Sequence, residues 1–162
     1  MPASDADLHF LHRAKDLALE AESGGNMPIG SLLVLKGEII AEGRNALLLP
    51  VYNPGGHAEI EAIKRVNPEL WPQAADMTCY SSLEPCLMCF GTLLLHGIGR
   101  IVFAAWDAEG GASCVIPHLP PYYPATAPVP AWEGPYLQEV CHPLYLRARE
   151  RFVALPCGGS HA

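Results

Sequence analysis

Apolar residues recur along residues 5–22 on one side of a helix, with Leu8, Leu11 and Ala18 sharing a face between charged positions. Ser4 stands where an N-cap is needed, and Asp5 and Asp7 suit the positive first turn. Ser23-Gly24-Gly25-Asn26 ends the pattern. The period then changes. Ile29 to Leu35 is a short apolar run, Lys36-Gly37 a turn and Glu38 to Ala41 a return strand, which together predict a β-hairpin. Residues 45–56, with Pro50, Pro54 and a glycine pair, read as a loop. A helix is expected from His57 to about Val66, where Asn67-Pro68 stops it, and residues 68–76 connect onward. Thr78 to Ser82 reads as a buried strand. Pro85 opens a helix that runs to about His96, and Arg100 to Ala105 is a further apolar strand. Strand, helix and strand in that order imply a parallel crossover and a layered α/β fold.

Residues 117–135 break this rhythm. They hold seven of the sixteen prolines, together with Tyr122, Tyr123 and Trp132. Such density predicts neither a helix nor a central strand. The stretch is either a rigid surface connection or a lid over a pocket. Leu137 to Val140 is predicted as a last strand and Pro143 to Leu155 as a C-terminal helix, with a frayed Gly158-Gly159 tail. The segment Cys86 to Ile98 is apolar on nearly every side. One face can pack on the sheet, and the other needs a second cover. A partner subunit would supply it, so a homodimer or larger homo-oligomer is expected. The proline-rich stretch is the alternative cover.

Length predicts one domain over residues 1–162, with half of its residues hydrophobic and enough of them for a real core. No apolar run reaches membrane-spanning length, and the N-terminus lacks a basic start and apolar core. The expectation is a cytoplasmic protein without a membrane partner. Cys79, Cys114, Cys141 and Cys157 are scattered without a framework and read as reduced. The net charge is −7, and only ten Lys and Arg are present, of which Arg147, Arg149 and Arg151 cluster near the C-terminus. That balance speaks against a nucleic-acid partner.

Two short stretches carry the chemistry. His57-Ala58-Glu59 and Pro85-Cys86-Leu87-Met88-Cys89 offer one imidazole and two thiolates, a ligand set that suits Zn2+. A structural zinc is normally closed by a fourth protein ligand. None sits at matching spacing nearby, which leaves a position for a catalytic water. Cys86 and Cys89, at i and i+3 in the first turn of a helix, can both face one metal, and the helix N-terminus favours them as thiolates. Glu59 is placed to take a proton from that water and return it to the ring nitrogen and the leaving amine. The cysteines alone also fit a redox pair or two inert thiols. Their occurrence with His57, Glu59 and Pro85 in this order selects a zinc-dependent hydrolase, a nucleobase deaminase. A non-catalytic zinc scaffold would have no use for Glu59. Cys157 and His161 could form only a weak second site, on a frayed tail.

The chain resembles the cytidine deaminase-like zinc superfamily, nearest the branch of tRNA adenosine deaminases and guanine deaminases. The resemblance covers most of residues 5–115. It rests on Met27-Pro28-Ile29-Gly30, Glu42-Gly43-Arg44-Asn45, His57-Ala58-Glu59-Ile60, the run Ser82 to Cys89, and Ile98-Gly99-Arg100-Ile101-Val102-Phe103. It implies a three-layer α-β-α fold with a mixed five-stranded sheet, usually in dimers or tetramers. It also implies that Asn45 hydrogen-bonds the base, that backbone around Ala58 and Leu83 borders the amino group, and that Pro28 lines the pocket. Asp107 matches an aspartate near the nucleotide in the tRNA enzymes. Asn45 and Asp107 also fit plain turn residues. Trp106 departs from the basic residue common there and offers stacking instead, and Cys114 onward departs entirely. With the acidic charge, these departures point to a small amino-heterocycle as substrate: a free nucleobase or nucleoside of guanine, adenine or cytosine, chosen with help from residues 117–135. The alternative expectation is a tRNA-specific adenosine deaminase.

Overall fold

The Ser4 hydroxyl accepts from the Asp7 backbone N–H at 3.1 Å, and the Asp7 carboxylate accepts from the Ser4 N–H at 3.1 Å. This reciprocal cap starts α1 (Asp5–Ser23) where the sequence places it. The chain is described here by a computed structural model over residues 2–126 and 128–155. The Gly158-Gly159 tail, Cys157 and His161 lie outside the described residues.

The predicted hairpin is β1 (Gly30–Leu35) and β2 (Glu38–Arg44). Its two-residue turn places Lys36 at φ 52° and Gly37 at φ 83°, the left-handed pair that matches strand twist. His57 caps α2 (Ala58–Ile63), and a 3-10 helical connector at Pro68–Asp76 leads to β3 (Met77–Ser81). Cys86 caps α3 (Leu87–Leu95), which leads to β4 (Arg100–Phe103). Then follow α4 (Tyr122–Thr126), β5 (Ala131–Glu133) and α5 (Gln138–Val153). The strands form one mixed sheet in the order β2-β1-β3-β4-β5. β1 runs antiparallel to both β2 and β3, whereas β3, β4 and β5 are parallel.

Alternation along the strands divides the core into two layers. Leu32, Val34, Tyr80 and Val102 face α1 and α5, where they meet Leu11, Leu17, Cys141 and Leu144. Leu33, Leu35, Cys79 and Ile101 face α2 and α3, where they meet Ile63, Phe90, Leu93 and Leu94. The three-layer α-β-α expectation therefore holds. No helix among the described residues is long and apolar enough to cross a membrane.

The proline-rich stretch differs from its expectation. It contains α4 and β5, the latter three residues long between Pro130 and Pro135. Proline cannot donate to a ladder, yet a proline-free triplet at the sheet edge can. The strand expected at Leu137–Val140 is absent. Leu137 instead caps α5, which begins five residues before the predicted Pro143 and takes that proline into its interior. The apolar helix α3 is also not covered all round within one chain. Leu87, Met88 and Leu95 are 60%, 41% and 66% exposed.

Candidate metal and catalytic site

The parallel strands β3 and β4 end on the side where α2 and α3 begin. An open α/β sheet forms its crevice at that edge. His57 and Cys86 are both N-cap residues with extended backbone, so neither side chain is directed along its helix. Neither makes a capping hydrogen bond. The His57 Nδ1 lies 3.5 Å from the Cys86 Sγ and 3.5 Å from the Cys89 Sγ. Tetrahedral zinc with ordinary Zn–N and Zn–S bonds sets that N···S separation at about 3.6 Å. All three ligand atoms lie within 4.8 Å of one another, and no other such group of three occurs among the described residues. The donor set and its spacing fit zinc, held by His57, Cys86 and Cys89.

Glu59 is buried in the first turn of α2. The Ser81 hydroxyl donates to its Oε1 at 2.7 Å, and the Cys89 thiol donates to its Oε2 at 3.3 Å. Ser81 ends β3 on the face toward α2, so the sheet itself fixes the carboxylate. Burial pushes the Glu59 carboxyl up from its ordinary range, against the pull of His57 and Ser81. A hydrogen bond from Cys89 draws the Cys86 thiol down to about 4, with His57 helping against burial. The same contact, together with burial, pushes the Cys89 thiol up. Burial opposes charge on His57, but the Cys86 sulfur and Glu59 outweigh it and raise its pKa.

A cavity of about 320 Å³ opens above His57 and Cys86. Asn45, Leu83 and Asp107 line it, as the resemblance implies. Asn45 also serves its loop, since its Oδ1 accepts from the Leu47 N–H at 3.1 Å. Asp107 is likewise a turn acid, because its Oδ1 accepts from the Glu109 and Gly110 N–H groups at 3.1 and 2.9 Å. Pro28, expected to line the pocket, is not among its lining residues and neither is Ala58; both are fully buried, next in sequence to the lining residues Met27, Ile29 and His57. Trp106 is not among the lining residues. Its ring leans on Phe103 at 5.1 Å and remains partly exposed.

The proposed lid is not over the cavity. None of the described residues among 117–135 lines it. Trp132 points into the α3 layer, with its ring centroid 5.4 Å from that of Phe90, because it alternates inward on β5. Tyr122 and Tyr123 pack edge-on against each other at 5.4 Å. The outer wall comes instead from α5, through Tyr145, Ala148, Arg149 and Phe152. Their i, i+3, i+4, i+7 spacing is a helical face that the sequence could have revealed. Sequence reasoning also missed Ser81, whose strand alternation places it on the α2 side.

Residues 4–105 match the family profile described as "Cytidine and deoxycytidylate deaminase zinc-binding region". The chain is 37% identical over 112 residues to a tRNA-specific adenosine deaminase of Bacillus subtilis, covering 68% of each chain. It is also 37% identical over 102 residues to one of Buchnera aphidicola, covering 62% of each. The chain thus spans about two thirds of the length of these relatives. Among solved structures, one from a study of A-to-I editing by tRNA:A34 deaminases superposes with a TM-score of 0.70 at 28% identity. That match covers 85% of this chain and 99% of the other. A guanine deaminase from Nitrosomonas europaea shares the fold, with a TM-score of 0.69 at 19% identity over 91% of this chain and 86% of its own.

Proposed function

The chain belongs to the cytidine and deoxycytidylate deaminase zinc-binding family, and from that membership we propose that its substrate is an adenosine presented by a tRNA loop, converted to inosine. Hydrolytic zinc-dependent deamination is the family's chemistry. The finer substrate assignment is carried by one observation: the curated relatives that match at 37% identity are tRNA-specific adenosine deaminases. This favours the alternative drawn from the sequence over the free nucleobase or nucleoside.

Zinc, when bound, supplies a water acidic enough to lose its proton near neutral pH. The chain's own residues do the rest. Glu59, held by Ser81, accepts the water proton and delivers protons to the ring nitrogen and the departing amine. A C–O bond forms at the amino-bearing carbon, the C–N bond breaks, and ammonia leaves without any redox change. Asn45 and Leu83, on the cavity wall, orient the ring. Leu47, Met27 and Ile29 give it an apolar face and exclude water.

A second reading, a free base or nucleoside, is favoured by the electrostatics of α5. Its arginines are already engaged with this chain's own groups. Arg147 pairs with Glu22 at 2.8 Å, Arg149 with Glu109 at 2.6 Å, and Arg151 with the Asn26 carbonyl. A phosphate backbone would have to displace carboxylates from them. The deciding experiment supplies purified zinc-loaded protein with tRNA and, separately, with adenine, guanine, cytosine and their nucleosides. Inosine in tRNA, with little ammonia from the free compounds, supports the first reading. Ammonia from a free compound and unchanged tRNA would replace it with the second.

A further inference from the structure

Glu84, two residues before the metal ligand Cys86, is a buried carboxylate that the reaction itself does not use. Its two oxygens face the loop that forms the cavity's outer rim. Oε1 accepts from the Ser113 backbone N–H at 2.9 Å and from the Ser113 hydroxyl. Oε2 accepts from the Asp107 backbone N–H at 3.2 Å. The far side of Ser113 is pinned as well, because the Trp132 indole N–H donates to its hydroxyl oxygen at 2.8 Å. The loop closes so tightly on the carboxylate that a Cβ on Gly111 would sit 2.2 Å from Oε2. Only glycine is accommodated there.

We propose that Glu84 is a positioning residue that sets the outer wall of the substrate cavity. It holds neither the metal nor the reacting atoms. The loop it clamps, residues 107–113, supplies Asp107, Glu109 and Gly110 to the cavity. That loop also reaches across to α5, where Arg149 pairs with Glu109. The loop wall of the cavity therefore hangs from one buried carboxylate, whereas α5 is held by its own packing on the sheet. Cys86 is held to the same loop by a separate route. The Ala112 N–H donates to the Pro85 carbonyl at 3.0 Å, and Cys86 bridges Gly111 through backbone. The metal turn keeps this attachment when the Glu84 side chain is altered.

The consequence is specific for Glu84→Gln. Glutamine is nearly isosteric, but its amide nitrogen is a donor, and each end of the clamp holds a backbone N–H that can only donate. One end of the clamp must fail, whichever way the amide is oriented. The loss of one charge-assisted hydrogen bond is expected to speed amide exchange over residues 107–113 by roughly 5- to 10-fold, and to raise KM by a similar factor. Zinc content and kcat should stay near those of the parent. On an Asp107→Ala background the added KM effect should be much smaller than the product of the two single effects, because both act through one loop. Ser113→Ala, which removes a single hydroxyl link, should give the same pattern at smaller size.

The inference rests on the deaminase reading only for its KM arm, measured with whichever amine the parent hydrolyses. Hydrogen exchange by mass spectrometry on the zinc-loaded protein tests the clamp without any substrate. Exchange over residues 107–113 equal to the parent's in both variants would overturn it. So would a fall in kcat or in zinc content at unchanged KM, which would make Glu84 part of the metal turn instead.

Discussion

Gly43→Ala should damage the metal centre from the far side of α2. Gly43 lies on β2 where the first turn of α2 crosses it. A Cβ there would fall 1.9 Å from the Ala58 carbonyl oxygen, 2.5 Å from the Ala62 nitrogen and 3.0 Å from the Ala62 Cα. All three obstacles are backbone, so no change of rotamer relieves the clash. An ordinary non-bonded contact needs about 3.5 Å, so strand and helix must part by about 1.5 Å at the worst point. His57 caps this helix and Glu59 is its second residue, and metal–ligand distances tolerate only about 0.2 Å. Overpacking of this kind costs about 1–3 kcal/mol, which lowers the Tm of a chain of this length by about 2–12 °C. Zinc per chain should fall along with the Tm. Gly91→Ala is the control. Gly91 lies inside α3, and a Cβ there meets no heavy atom from other elements of its own chain within 4 Å. Alanine should therefore stabilise that helix by up to about 1 kcal/mol and leave zinc in place. Calorimetry and metal analysis of both variants decide the matter. A Gly43→Ala protein with the parent's Tm and one zinc per chain would refute the reasoning.

Three further outcomes are expected. Glu59→Ala should keep zinc and fold but lose about 10²–10⁴-fold in turnover, whereas Cys86→Ala should lose the zinc itself; metal content beside initial rates separates the two. Asp7 should contribute stability that acid removes. The Arg100 guanidinium, at 2.6 Å, outweighs burial and, with Ser4 and Tyr80, holds the Asp7 carboxyl well below the usual carboxylate range. A depressed folded-state pKa gives stability that is fully present above the unfolded value of about 3.9 and lost as pH falls through the folded value. The Tm gap between the parent and Asp7→Asn should therefore close below about pH 4, and a gap constant down to pH 2 would contradict this. Finally, a second copy of the chain is the expected cover for the exposed Leu87, Met88 and Leu95 of α3. Light scattering should give at least a dimer mass that Leu95→Glu reduces, and a monomeric parent at micromolar concentration would sink the idea.

The ligand set was legible because each of its residues is marked by local pattern. His57 and Cys86 stand at helix starts that the sequence predicts within one or two residues. Glu59 follows two residues after His57, in the first turn of the same helix. The hairpin and the parallel crossover were legible for the same reason, since their periods change at Lys36-Gly37 and at Pro85. The outer wall was not. Residues 117–135 carry enough proline to suppress both helix and strand signals, and β5 is only three residues long. The inward turn of Trp132 leaves no trace in the sequence, because the period-two alternation has no room to show itself in three residues. α5 was predicted late because Pro143 resembles a helix start, yet the helix admits it one turn in. Glu84 was read only as part of a motif. Its partners lie 23 and 29 positions away, a separation that no local rule reaches.

The candidate metal site and the outer wall of the cavity come from different parts of this chain, although Met27, Ile29, Asn45, Leu47 and Leu83 line the cavity from within the matched segment. His57, Glu59, Cys86 and Cys89 all fall within residues 4–105, the segment that matches the family. The wall that any substrate must pass comes from residues 107–113 and from α5, beyond that match. A cavity of about 320 Å³ is at the lower end of the range for small-ligand sites, so a flipped base can enter it while the rest of a polynucleotide must stay outside. The surface next to the mouth then decides which molecule arrives. There the Arg149–Glu109 pair is exposed on both sides and contributes little to stability. It is thus free to exchange partners at small cost. Glu109→Gln would release Arg149 for a phosphate. If the substrate is tRNA, that variant should bind it more tightly, with a steeper dependence on salt. If the substrate is an uncharged base or nucleoside, KM should be unmoved by salt in parent and variant alike.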